Sequence, residues 1–290
     1  MKRTAGDWLL DSFAYIFLLV MSLMMLLPIL NVFSKAVSEE WAIISGKVGI
    51  FPVGFQLDTL REVVTSTTFS HAFLLSVGIT FVGTILSILF TAVTAYPLSK
   101  RFLPGISFVM VLFVFTMLFS GGLIPNYLLM RELHLINNLW VLILPGLIGV
   151  FNLLVIKSYY ESLPEALEES ARIDGAKTYT ILFRIILPLS MPVIATIALF
   201  YAVGYWNDYF GPMIYINDTA KQTLQLYLQS VVMEANTSTA LNKSVEDMMN
   251  MSPEGIRSAT VIASTVPILV VYPFLQKYFI KGVLIGSVKG

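Results

Sequence analysis

Side chains able to do chemistry gather at two places in this sequence. In the stretch from 161 to 184, eight charged residues (Glu161, Glu165, Glu168, Glu169, Arg172, Asp174, Lys177 and Arg184) interrupt near-uniform apolar sequence. The second place reads Gly204-Tyr205-Trp206-Asn207-Asp208-Tyr209-Phe210-Gly211-Pro212. Aromatic faces beside an amide and a carboxylate are what a sugar site needs, because pyranose rings stack on aromatics while their hydroxyls need donors and acceptors. The same residues equally suit an aromatic belt at a membrane surface. Neither place is equipped for catalysis. The chain has no cysteine, and His71 and His134 are its two imidazoles, so disulfide, thiolate and zinc chemistry are not expected. Ser45-Gly46-Lys47 and Asp174-Gly-Ala-Lys-Thr178 lack the spacing of a phosphate-cradling loop. If ATP drives this protein, another chain binds it.

The elements that position these groups are membrane helices. The chain is 57% apolar and 12% charged, with mean hydropathy +0.80, far from the roughly 25% charge of soluble domains. Six stretches reach or approach the roughly 20 apolar residues that cross a bilayer as helix: Phe13 to Phe33, His71 to Tyr96, Phe102 to Leu118, Asn138 to Ile156, Pro188 to about Tyr205, and Ala259 to Phe279. These runs are too long for barrel strands and lack their alternation. The expected class is therefore all-α, a polytopic bundle of six transmembrane helices forming one domain over 1–290. Met1-Lys2-Arg3 imitates a signal peptide, but the following run is long and lacks a small-residue cleavage site, which reads as a retained helix.

Six spans put both termini on one side. Of the 18 Lys and Arg, 11 fall on the terminal side and 7 on the other, so the positive-inside rule makes both termini and residues 161–187 cytoplasmic. The segments 34–70 and 217–256 then lie outside, the former with a short amphipathic helix expected near Thr59 to Val64. The Asn-x-Ser/Thr triplets at Asn217, Asn236, Asn242 and Asn250 would be glycosylation acceptors in a eukaryote and are incidental otherwise. Asp208 is the main ionisable residue of the spans, and that scarcity counts against an ion-coupled carrier. Zero net charge gives no hint of nucleic-acid binding. Asn137, Asn138 and Asn152 read as capping or interhelical groups. Pro145-Gly146, Pro267 and Pro273 predict kinks.

Within the polar stretch, Ser162-Leu-Pro-Glu165 has the form of a capping box that starts a helix. Ala166, Ser170 and Ala171 keep that helix slim, and Asp174-Gly175 gives a left-handed stop. A second amphipathic piece follows, with Tyr179, Leu182, Phe183 and Ile186 at helical spacing. Such a helix-turn-helix suits another protein's groove; a solvated linker is the plainer reading.

The same residues resemble the EAA motif of bacterial ABC importer membrane subunits: E-A-A, three residues, Gly, nine residues, I-x-L-P. Here it reads Glu169-Ser170-Ala171, Gly175, then Ile185-Ile186-Leu187-Pro188, with Ser170 for the first Ala. "FSGGLIPNYLLMRELHLINNLWVLILPG" at 119–146, "SLPEALEESARIDGA" at 162–176, "YWNDYFGP" at 205–212 and "GVLIGSVKG" at 282–290 resemble the carbohydrate-uptake branch. Within it they are similar to the maltose-G-like permease subunit, most closely in Gram-positive importers of complex oligosaccharides. The resemblance implies a bacterial cell-membrane permease, half of a translocation path. Its implied partners are a second homologous permease, two cytoplasmic ATPase domains that bind ATP and Mg, and an extracellular solute-binding protein.

It further implies that Glu169, Ala171, Asp174 and Gly175 meet the ATPase, that Pro188 starts span five, and that the tail around Gly286 to Gly290 approaches the ATPase. Glu168 and Arg172 join that contact by proximity. Tyr205, Trp206, Asn207, Asp208 and Tyr209 are the substrate-path candidates, and residues 217–256 would face the binding protein. The alternatives are an importer for another solute, such as a peptide or amino acid, and a stand-alone secondary carrier working through Asp208.

Overall fold

The computed structural model describes residues 5–100, 102–234 and 252–287, and the secondary structure is helical throughout apart from one isolated bridge, Ser38 to Phe55. Three helices are long and apolar enough to cross a membrane: α1 (Ala5–Ala36, apolar from Leu10), α4 (Thr67–Leu98) and α14 (Pro253–Ser287). Three further crossings are available only as bent pairs: α5 (Ile106–Leu118) with α6 (Leu123–Glu132) at 113°, the 3-10 turns of 139–146 with α7 (Val150–Ser162) at 45°, and 178–189 with α11 (Met191–Asn207) at 82°.

Those breaks correct the expected span limits for a physical reason. Apolar run length measures how far a segment can stay in lipid, but backbone turns decide where the axis changes direction. Gly122, at φ +90°, begins α6 after Phe119-Ser-Gly-Gly has left the helical region. The third helix proper begins at Ile106, after Gly105 at φ +83°, so Phe102 lies outside it. Pro145-Gly146 falls in the broken segment as expected, whereas α14 continues through Pro267 and Pro273.

The chain packs as two compact units. One is built from 1–70 and 227–267, the other from 71–226 and 268–290. In the first, α1 buries none of its apolar window against the chain, a surface only lipid or another subunit can cover. Short helices α2 (Glu40–Ile44) and α3 (Asp58–Thr65) follow, the latter where the amphipathic pattern predicts it. Ser252 caps α14 by accepting the Gly255 N–H at 3.0 Å, with Pro253 at the first helical position. Glu40 accepts the Ser252 N–H at 2.6 Å and the Thr59 hydroxyl at 2.9 Å, and Lys35 pairs with Glu254 at 2.5 Å. The distal end of α1 is thereby fastened to the start of the last helix. Of the expected outer loop, α13 (Leu224–Glu234) is helical, and 235–251 lie outside the described residues.

The second unit holds the main core. Ala92, Ala95, Tyr96, Leu153, Ile156, Tyr160, Ile181, Leu182, Ile186, Val193 and Ile197 interlock from α4, α7, the 178–189 piece and α11. Asn138 caps the 3-10 turn through the Trp140 N–H, and Asn137, at φ +59°, accepts from the Asn217 and Asp218 N–H groups. Asparagine tolerates that left-handed backbone better than most residues.

Candidate functional site

The polar stretch folds as a short helix, a tight turn and a second helical piece. Its start differs from the expected capping box. Ser162 is the last residue of α7 and its hydroxyl donates back to the Tyr159 carbonyl at 2.7 Å, while α8 (Ala166–Ile173) begins after Glu165 with no side-chain cap. The Leu163-Pro164 step explains this, because the residue before proline is pushed out of the helical region; Leu163 has ψ 144°. The stop is as expected. Gly175 has φ +79°; its N–H reaches the Arg172 carbonyl at 3.0 Å and the Ala176 N–H reaches Ala171 at 2.9 Å, the paired bonds of a Schellman turn.

Orientation of the side chains was not legible in the spacing. Ala171 faces the core at 8% exposure, and Glu168 turns inward to pair with Lys100 and to accept the Tyr96 hydroxyl at 3.2 Å. Lys100 also lies 4.8 Å from the Tyr96 ring centre, and Arg172 sits beside Glu168 at 3.8 Å and over Phe102 at 6.0 Å. Glu168 thus ties α8 to the C-terminal end of α4. The outward surface is made by Glu169, Ser170, Asp174 and Gly175, together with Ile173 and Tyr179, which are 86% and 75% exposed. Ile173 and Tyr179 were not singled out as contacts from the sequence; an isoleucine inside a charged stretch was the available signal.

Of the second piece, Leu182 and Ile186 are buried with Ile181, whereas Tyr179 and Phe183 are exposed, because residues 182–186 form a π turn that shifts the expected face. Pro188 lies in α10 (Leu187–Leu189), before the 82° bend at Ser190; Pro192 occupies the first turn of α11. Removing the Glu168 carboxylate should be costly, since Lys100 would stay nearly buried without its partner. Glu168→Ala is expected to lose on the order of 3 kcal/mol of stability, read as lower yield and lower melting temperature of the purified protein. The exchange Glu168→Lys with Lys100→Glu should recover part of it.

At the other end of α11, Tyr205, Asn207 and Asp208 line a cavity of about 420 Å³ with Leu142, Pro145, Gly146, Phe200, Tyr201, Gly204, Gly211 and Tyr215 among its walls, within the range of small-ligand sites. Trp206 and Tyr209 are not among its walls. Trp206 is 8% exposed and edge-on to Phe73 at 6.0 Å, and Tyr209 is half-exposed beside Phe210. Asp208 sits in the gap before α12 (Phe210–Tyr215) and accepts the Gly211 N–H at 3.0 Å. Its carboxylate both caps a helix and reaches the cavity.

Beside the cavity, the break between the 3-10 turns of 139–146 and α7 is held by hydroxyls. Gly149 donates its N–H to the Tyr201 hydroxyl at 2.8 Å, and Tyr201 lies 2.7 Å from the Thr91 hydroxyl, which donates to the Leu147 carbonyl at 3.4 Å. In the Tyr201–Thr91 pair either hydroxyl can be the donor. The circuit leaves the broken segment and returns to it through α11 and α4. Tyr205 repeats the device, 2.8 Å from the Ser87 hydroxyl and 3.4 Å from the Ile143 carbonyl, with Gly83 leaving room for its ring. Freed backbone groups at membrane depth need such partners. Ser76, Ser87 and Thr91 share one face of α4 at 11- and 4-residue spacing, a pattern that could have marked the seam in the sequence. Among the described residues, no group of three metal-ligating side chains is present.

A family model described as "Binding-protein-dependent transport system inner membrane component" matches residues 100–285. The "Polygalacturonan/rhamnogalacturonan transport system permease protein YtcP" of Bacillus subtilis (strain 168) is 42% identical, over 97% of this chain and 99% of that protein. "Protein LplC" of the same organism is 44% identical over 100% of this chain and 98% of that protein. Among solved structures, a chain of a bacterial ABC transporter involved in the import of the acidic polysaccharide alginate superposes with TM-score 0.89 at 30% identity, covering 96% of this chain and 99% of its own.

Proposed function

This chain belongs to the binding-protein-dependent transport system inner membrane component family, and from that premise we propose that it forms half of an oligosaccharide path through a bacterial cell membrane. It is a transporter subunit, not an enzyme, with the all-α fold of an ABC importer permease. In the proposed assembly it pairs with a homologous permease, both engage two cytoplasmic ATPase domains that bind ATP and Mg, and an external binding protein delivers the sugar. The bundle crosses six times with both termini cytoplasmic, each bent pair counting as one crossing. The outer loop 217–256 receives the binding protein, and the tail around Gly286, continuing into residues 288–290 outside the described set, approaches the ATPase.

The observation that carries this reading is the loop between the fourth and fifth crossings. It keeps the EAA spacing and presents Glu169, Asp174, Gly175, Ile173 and Tyr179 outward. Ala171 and Glu168 act behind that face by fixing it to the core, Arg172 flanks it, and Pro188 lies in the exposed α10 that follows. ATP-driven closure of the ATPases would move this loop, and with it α7 and α11, the latter ending at the cavity.

Co-purification from the native membrane in mild detergent tests the assembly. A second permease, an ATPase and oligosaccharide-stimulated ATP hydrolysis are expected; a chain that purifies alone and transports solute driven by an ion gradient would refute it, and stimulation by peptides or amino acids instead of sugars would move the substrate class.

The cavity is proposed as this subunit's share of the path, with Tyr205, Asn207 and Asp208 facing the sugar, and Trp206 and Tyr209 supporting them from outside the walls. A Cβ added at Gly204 would meet no atom within 4 Å, and replacing a helical glycine favours the helix by up to about 1 kcal/mol. Gly204→Leu should therefore leave the protein in the membrane at normal level yet cut oligosaccharide uptake at least several-fold. Unchanged uptake would take the cavity out of the path.

A further inference from the structure

The seam between α4 and α11 is built in register. Tyr201 meets Thr91 and Tyr205 meets Ser87, so a step of one turn on α11 is matched by a step of one turn in the opposite direction on α4, about 6 Å along each axis. One further turn along α4 stands Gly83. A Cβ built there would lie 2.8 Å from Cε2, 2.9 Å from Cζ and 3.0 Å from Cδ2 of Tyr205, whereas carbon atoms in contact settle at about 3.5–4.0 Å. The tyrosine ring rests on bare backbone.

Most of the ring's surroundings cannot yield. Its hydroxyl lies 2.8 Å from the Ser87 hydroxyl and 3.4 Å from the Ile143 carbonyl. Its apolar part packs against two core clusters of the same unit, one around Ile197 and Tyr201 and the other around Ile79 and Leu142. Interiors packed at crystal density do not take up such a displacement without strain. The open side of the ring is the cavity of about 420 Å³, whose wall it forms. A carbon placed at position 83 therefore drives Tyr205 toward that cavity.

We propose that Gly83 is a positioning residue that sets the width of the cavity and, through it, the breadth of the sugar unit this subunit passes. With glycine at 83 the Tyr205 ring stands back against α4, and units bearing a branch or an acetyl group fit; with alanine the ring stands forward and only unsubstituted units do. The geometric half of this inference stands on packing alone. The transport half rests on the cavity lying in the sugar's path, as proposed above.

The chain has no cysteine, so Gly204→Cys puts a single thiol of this chain in the cavity wall of the assembled importer. Its reaction with methyl or benzyl methanethiosulfonate is read from the intact mass of the chain. Adding Gly83→Ala should slow the benzyl reagent about tenfold relative to the methyl one, the discrimination that a methylene's worth of space commonly gives. Gly78, on the same helix, meets nothing within 4 Å, so Gly78→Ala makes the same chemical change and should leave both rates as they were. An unchanged ratio in the Gly83→Ala protein would overturn the proposal. If that variant does not accumulate, Tyr205→Leu reads the same wall from its other side: the benzyl reagent should gain on the methyl one, and an unchanged ratio would again overturn it.

For transport, reconstituted importer is given a partial polysaccharide hydrolysate holding linear oligosaccharides and their branched or acetylated counterparts, and the internalised species are identified by mass. Gly83→Ala should admit the substituted members about tenfold less than linear ones of equal length, with Gly78→Ala matching the unaltered protein. A cavity narrowed by labelling but an unchanged cargo ratio would overturn the transport half. Unchanged uptake in Gly204→Leu would instead remove the cavity from the path and leave the width result standing.

Discussion

Gly175→Trp is expected to abolish oligosaccharide uptake while leaving the chain in the membrane at close to normal abundance and ATP hydrolysis no longer responsive to sugar. Two features of the turn separate this effect from simple misfolding. The residue has φ +79°, so any L side chain costs about 1–2 kcal/mol there. A Cβ built at the position, however, meets nothing within 4 Å, so the first carbon of a side chain adds no clash inside this chain. Gly175→Ala therefore measures the backbone cost alone and should retain most uptake if the fold tolerates it. The further loss from alanine to tryptophan must come from whatever the turn touches outside the chain. Normal uptake by a well-expressed tryptophan variant would remove Gly175 from the proposed contact.

Tyr201→Phe should lower uptake by about tenfold, although it deletes a single oxygen. That atom is the link between Gly149 and Thr91, and Tyr201 and Thr91 are 7% and 0% exposed. Without it the Gly149 N–H is left unpaired at the break before α7, a penalty of about 1–3 kcal/mol. The quantity to measure is sugar carried per ATP hydrolysed in reconstituted importer, because a merely less stable protein would lower both in proportion. Thr91→Val should act in the same direction, and Thr91→Ser, which keeps the hydroxyl, should restore coupling. An unchanged ratio in Tyr201→Phe would leave the circuit a packing feature without a part in transport.

The sequence by itself determined the class of this protein and the position of the helix stop at Gly175. Both rest on local quantities. Bilayer crossing depends on the length of an apolar run, and the turn at Gly175 depends on a glycine four residues after Ala171, so each is written within a few neighbouring residues. The short helix near Thr59 to Val64 and the break at Pro145-Gly146 were legible on the same ground.

Tertiary structure decided which way those elements face and what answers them. Spacing could not tell that Glu168 turns inward to Lys100, 68 residues away, while Ile173 turns outward, or that a π turn rotates the face after Tyr179. It offered Trp206 and Tyr209 as path residues on composition; packing against Phe73 and Phe210 put them elsewhere than the cavity walls. The hydroxyl circuit was invisible for the same reason. A broken helix at membrane depth creates unpaired donors and acceptors, and their partners on α4 and α11 lie 56 and 52 residues distant, so only the folded chain brings them together.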